Sequence, residues 1–169
     1  MKAKLIIEGK EIEIEISEEE YKKLQPSEEK KTGYERVPES DIYFYAHSGG
    51  YVGTASEDYC NIDNEYYESA NYYSDKTVAE NNARADKLMR QLRRFSVEYR
   101  ECEVNLSDIN TAKFYIYYDY RGYKLESAST FSSEVFGTIH FDSKEAIQSA
   151  IDEFHDELVW YFTEYKDSL

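Results

Sequence analysis

The chain has 169 residues, with 35 Asp and Glu against 20 Lys and Arg, a formal charge of −15. That length suits one domain or two small ones sharing a core, and 41% apolar with 16% aromatic residues is enough side-chain area to exclude intrinsic disorder. No apolar run approaches the roughly 18 residues of a membrane helix, and the first sixteen residues lack a signal-peptide core, so a cytoplasmic protein without membrane contact is expected.

Leu5, Ile6 and Ile7, then Glu8-Gly9-Lys10, then Ile12, Ile14 and Ile16 alternating with Glu11, Glu13 and Glu15 predict a β-hairpin. Ser17 before Glu18-Glu19-Glu20 is a capping box, which predicts a short helix over 18–24 that Pro26 ends. This ββα unit fills residues 1–26. The charged, non-periodic stretch 27–33 reads as a linker.

Two similar units follow, over 34–100 and 101–169. Ile42-Tyr43-Phe44-Tyr45-Ala46 passes through Gly49-Gly50 into Tyr51-Val52, and Phe114-Tyr115-Ile116-Tyr117-Tyr118 passes through Arg121-Gly122 into Tyr123-Lys124-Leu125. Both read as hairpins with glycine supplying the turn. Each is followed by a third short strand, near Asn71-Tyr72-Tyr73 and Ile139-His140-Phe141, then by a capped helix, with Asp142 and Glu145 forming a capping-box pattern in the second. Val78, Asn81, Ala85, Leu88, Leu92, Phe95 and Tyr99 make one helical stripe, and Ile147, Ile151, Phe154, Leu158, Tyr161 and Tyr165 make another. The fold expected is α+β: an N-terminal ββα unit followed by two tandem β-β-β-α repeats, with helices packed on antiparallel sheets.

Charge is uneven. Residues 76–100 carry 7 basic and 3 acidic side chains, whereas 1–75 carry 8 and 18 and 101–169 carry 5 and 14. Arg84, Lys87, Arg90, Arg93 and Arg94 fall off the apolar stripe, as does Arg100. The basic face either holds phosphates or an acidic partner, or pairs with the protein's own acidic surface or a second subunit. Glu57, Asp58, Asp63, Glu65 and Glu68 read as an acidic loop with Tyr59, Tyr66 and Tyr67 interleaved. Asp152, Asp156, Glu157 and Trp160 read as an outward face of the last helix. Such carboxylate arrays either imitate a nucleic-acid backbone or keep a small protein soluble.

Chemistry-bearing motifs are scarce. His47, His140 and His155 stand apart, Cys60 and Cys102 form no C-x-x-C pair, and the sequence has no HExxH, GxSxG, Walker or GxGxxG pattern. No catalytic residue, metal or cofactor is expected, and the protein reads as a non-enzyme.

The runs from Ser74-Asp75-Lys76 through Ala83-Arg84-Ala85 to Arg93-Arg94-Phe95, from Phe141-Asp142-Ser143-Lys144 to Trp160-Tyr161-Phe162-Thr163-Glu164-Tyr165, and Tyr34-Glu35-Arg36-Val37-Pro38 resemble small open reading frames of phages and prophages of Firmicutes, over about residues 33–167. The resemblance brings no activity. It implies a phage protein acting in the bacterial cytosol. Small acidic phage proteins of this class include anti-CRISPR inhibitors that mimic nucleic acid. The expected partner is therefore a host defence nuclease, such as Cas9, engaged by the acidic residues. The alternatives are a sponge or sensor for a nucleotide signal, held by the arginines of the basic helix, and a phage assembly or regulatory module, including a homodimer.

Overall fold

The computed structural model describes residues 2–7, 10–15, 17, 31–100, 104–105, 107–133 and 137–165. The chain divides into two compact units, Met1–Thr32 and Gly33–Leu169. In the first, β1 (Lys2–Ile7) and β2 (Lys10–Glu15) pair antiparallel, in a register that sets Leu5 opposite Ile12 and Ala3 opposite Ile14. The helix expected over 18–24 lies outside the described residues.

The second unit runs β3 (Ile42–Ala46), β4 (Val52–Ser56), α1 (Asn61–Glu68), α2 (Lys76–Glu98), β5 (Lys113–Asp119), β6 (Lys124–Thr130), α3 (Lys144–Glu153) and α4 (His155–Trp160), and then a π-helical turn, Tyr161–Tyr165. The fold is α+β, and its sheets have two strands each, β3 with β4 and β5 with β6. The third strands anticipated near Tyr73 and Phe141 contract to single bridges. Phe44 and Tyr73 exchange both backbone hydrogen bonds at 2.9 Å, and Phe114 and Phe141 do so at 3.0 and 2.8 Å. Two residues beyond each bridge sits a helix cap. Asp75 caps α2 by accepting from the Thr77 and Val78 N–H groups, and Ser143, rather than Asp142, caps α3 by accepting from Ala146.

The turns differ from expectation in one detail. Gly50 takes φ +84 in the β3–β4 loop, but in the β5–β6 loop Tyr123, not Gly122, holds the left-handed conformation, at φ +53.

The second long helix is also not continuous. Phe154, at φ −108 and ψ 19, ends α3 and begins α4, outside the α-helical basin. Its ring meets Phe95 edge-on at 5.7 Å. The main apolar core joins the two helical regions: Leu88, Leu92 and Phe95 of α2 pack with Phe141, Ile147, Ile151 and Leu158. Burial on α2 is broader than the expected stripe, because Ala79 and Ala83 are buried whereas Tyr99 is exposed.

Candidate functional site

Residues 57–68 do not form an acidic loop. They sort into an inside and an outside. Glu57 is fully buried: its carboxylate accepts a two-pronged pair from Arg36, Nε at 2.8 Å and Nη2 at 2.9 Å, together with the Tyr72 hydroxyl at 2.8 Å and the Tyr59 N–H at 2.8 Å. Asp63, at the third position of α1, is also buried, and it accepts from the Tyr43 hydroxyl at 2.8 Å and from the N–H groups of Asp58 and Cys60 at 2.9 and 3.1 Å. Both carboxylates are thereby satisfied within the fold, as buried charges must be. Glu57 and Asp63 therefore leave the set of partner-facing acids.

The same hydrogen bonds fix their titration. The Arg36 guanidinium, followed by the Tyr72 hydroxyl, holds Glu57 below the usual carboxylate range. The Asp58 N–H and then the Tyr43 hydroxyl bring Asp63 down to about 2. Burial, and then the bond to Glu57, pushes Tyr72 up to about 12. Tyr43 and Tyr72 stack at 4.1 Å between the two carboxylates, so the network is continuous.

On top of it sits a surface. Asp58, Glu65 and Glu68 are exposed, and so are Tyr59, Ile62 and Tyr67 among them. Tyr59 adopts φ +52, a conformation that costs a non-glycine residue of order 1 kcal/mol. It is held there by the Glu57 carboxylate on its N–H and by the Arg36 guanidinium 4.7 Å from its ring centroid; the same guanidinium lies 5.4 Å from Tyr67. Sequence periodicity missed α1 because its buried positions include Asp63 and its cap is Cys60. The Cys60-x-x-Asp63 spacing, a capping box with an unusual first member, was the available signal.

The second acidic set also divides. Asp152 and Asp156 are exposed, and among the described residues they bond locally, to Gln148 and His155. Glu157 instead receives Arg84 through Nε at 2.7 Å and Nη2 at 3.1 Å, and the Arg84 guanidinium lies 3.9 Å over the buried Trp160 ring. Trp160 does not point outward. The break at Phe154 upsets the wheel drawn for one straight helix, and the tryptophan enters the seam with α2.

Arg84 is thus taken from the basic face. Lys87, Arg90, Arg93 and Arg94 are exposed, and Lys87, Arg90 and Arg94 line a groove of about 370 Å3 against Ser48 and Gly49 that Arg93 does not reach. A separate apolar cavity of about 420 Å3 lies among Leu88, Ile116, Ile139, Phe141 and Phe162.

Among the described residues, no cluster of three or more His, Cys, Asp or Glu side chains could hold a metal, and no helix is long and apolar enough to cross a membrane. His47 stacks on Tyr51 at 4.3 Å, and His140 meets Tyr115 edge-on. No protein-family model, characterised protein or solved structure matches this chain.

Proposed function

We propose that the protein is a phage-encoded counter-defence factor, without enzymatic activity, that acts in the bacterial cytosol. It binds a nucleic-acid-handling host nuclease, of which a CRISPR effector such as Cas9 is the expected class, and fills its basic groove by acidic mimicry. The observation that carries this reading is the surface over 58–68, where Asp58, Glu65 and Glu68 alternate with exposed Tyr59, Ile62 and Tyr67. Carboxylates steer association with a basic groove, and aromatic and aliphatic side chains anchor it. Because Glu57 and Asp63 fasten this segment from below, little ordering entropy is lost on binding, which favours affinity. Asp152 and Asp156 supply a second acidic patch.

The finer architecture belongs to the same reading. Residues 34–100 and 101–169 are related units descended from a β-β-β-α repeat, the third strand reduced to a bridge in each and α1 inserted in the first; the shared hairpin, single bridge and helix cap two residues later support this.

The test is affinity capture from a CRISPR-bearing lysate at low and high salt, with the native sequence and with Asp58→Lys, Glu65→Lys and Glu68→Lys combined. Capture of a nucleic-acid-binding effector, lost in high salt and lost in the variant at unchanged melting temperature, is the expected result. Equal capture by the variant would remove this surface from the interface, and capture of no such effector would overturn the reading.

A further inference from the structure

One stripe of α2 carries the opposite charge. Lys87, Arg90 and Arg94 follow one another at steps of three and four, which stacks them on one side of the helix, and that side meets the β3–β4 loop. Two of the three are held in place. Arg90 donates through Nη2 to the Ser48 carbonyl at 3.0 Å, which uses one of the guanidinium's five N–H donors. The Lys87 stem lies against Gly50, where a Cβ would come within 2.6 Å of its Cδ. Gly50 also has φ +84, so both conformation and space there call for glycine.

Among the described residues no carboxylate lies within ion-pairing distance of Lys87 or Arg90, and Arg94 reaches only Glu98, at 3.7 Å with both side chains more than half exposed. Such an exposed pair contributes little. Three like charges gathered on one groove repel one another unless an anion is shared between them. In a chain of net charge −15, carboxylates are plentiful, yet among the described residues none lines this groove.

The groove continues. Ser48 and Arg90 also line an adjoining hollow of about 430 Å3 that includes His47, Asn71 and Asp86. Volumes of this order suit a small molecule. The two ends differ in chemistry: one is cationic, while the other offers the Asp86 carboxylate, which suits hydroxyl or amine groups, beside Asn71, whose amide is already paired with the Ala46 backbone through Oδ1 and Nδ2.

We propose that this groove binds the phosphate chain of a small molecule, with Lys87, Arg90 and Arg94 on the phosphate oxygens and the hollow beside Asn71 and Asp86 open to a nucleoside attached to that chain. Guanidinium groups grip phosphate through paired N–H donors, and the ammonium adds a point charge. This site is independent of the acidic surface, and neither assignment rests on the other.

The experiment is titration calorimetry with ADP, inorganic triphosphate and a short DNA duplex. It uses the full chain and the variants Lys87→Ala, Arg90→Ala and Arg93→Ala, all three at exposed positions that leave the fold intact. Saturable binding that Lys87→Ala and Arg90→Ala each weaken by about tenfold, the equivalent of one charge-assisted hydrogen bond, with Arg93→Ala unchanged, supports the site. ADP binding more tightly than triphosphate then assigns a nucleotide as the source of the phosphate chain, whereas equal binding assigns a free polyphosphate. Absence of binding by both, equal weakening by Arg93→Ala, or tighter binding of the duplex than of either small molecule overturns it.

Discussion

Beneath β3 and α1 the interior is organised by carboxylates; between β5, α2 and α3 it is organised by hydrocarbon. Glu57 and Asp63 each collect hydrogen bonds from several segments, whereas Phe141, Ile147, Ile151 and Leu158 pack on Leu88, Leu92 and Phe95. The one buried charge described near β5, Lys113, is satisfied by the carbonyls of Asp108 and Phe131 at 2.5 and 2.7 Å. The two interiors do different work. Hydrogen bonds to an ionised group are directional and position the chain that makes them, while apolar burial is non-directional and supplies bulk stability. The polar interior lies under the surface proposed to contact a partner.

The largest test of this contrast is Phe141→Ala. With the ring 1% exposed, its loss should cost about 3–5 kcal/mol in urea unfolding. Tyr43→Phe removes only a hydroxyl, leaves one Asp63 bond unmade, and should cost about 1–3 kcal/mol. The reverse order would mean that the carboxylate network is the main source of stability.

A second test uses pH. The folded state holds Asp63 down to about 2 and Glu57 below its ordinary range, so their stabilisation is complete above the unfolded carboxylate range near about 4 and is lost as pH falls through the folded values. The urea midpoint should drop as pH falls from about 4 toward about 2. Asp63→Asn and Glu57→Gln together should flatten most of that dependence while lowering the neutral-pH midpoint. A slope unchanged in the double variant would place the acid sensitivity elsewhere.

The smallest effect belongs to the seam between α2 and α4. The Arg84–Glu157 pair is 43% exposed at both ends, so Arg84→Ala should cost less than about 1 kcal/mol. It uncovers the Trp160 ring, and a red shift of tryptophan fluorescence should accompany that small loss. A large loss would mean that the seam, rather than the apolar cluster, joins the two helical regions.

Hairpins, helix starts and the apolar stripes were legible in the sequence because each depends on local period or local capping. Gly49-Gly50, Asp75 and the Leu88, Leu92, Phe95 series needed no distant partner to be read. The acidic candidates depend on distant partners. Whether Glu57 faces inward is decided by Arg36 and Tyr72, and whether Glu157 is free is decided by Arg84, 73 residues away in sequence. Charge counting cannot separate Asp58 from Glu57. Trp160 was misplaced for another reason: a wheel assumes one axis, and the chain changes axis at Phe154. The basic stripe was legible, but its division into Lys87, Arg90 and Arg94 against Arg84 and Arg93 was not, because Ser48, Gly49 and Glu157 make that division.

The single backbone bridges at Tyr73 and Phe141 have a consequence for how this chain tolerates change in length. Each bridge is locked to a strand by two main-chain hydrogen bonds, and each is followed two residues later by a helix cap. The azimuth of each helix is thus set by main-chain geometry before any side chain packs. One residue inserted between bridge and cap would turn the helix by about 100° and carry its apolar stripe away from the core, whereas substitution at the same place would leave the azimuth alone. Length variation is therefore expected to collect in the loops on either side of these junctions, where the chain is not clamped at both ends.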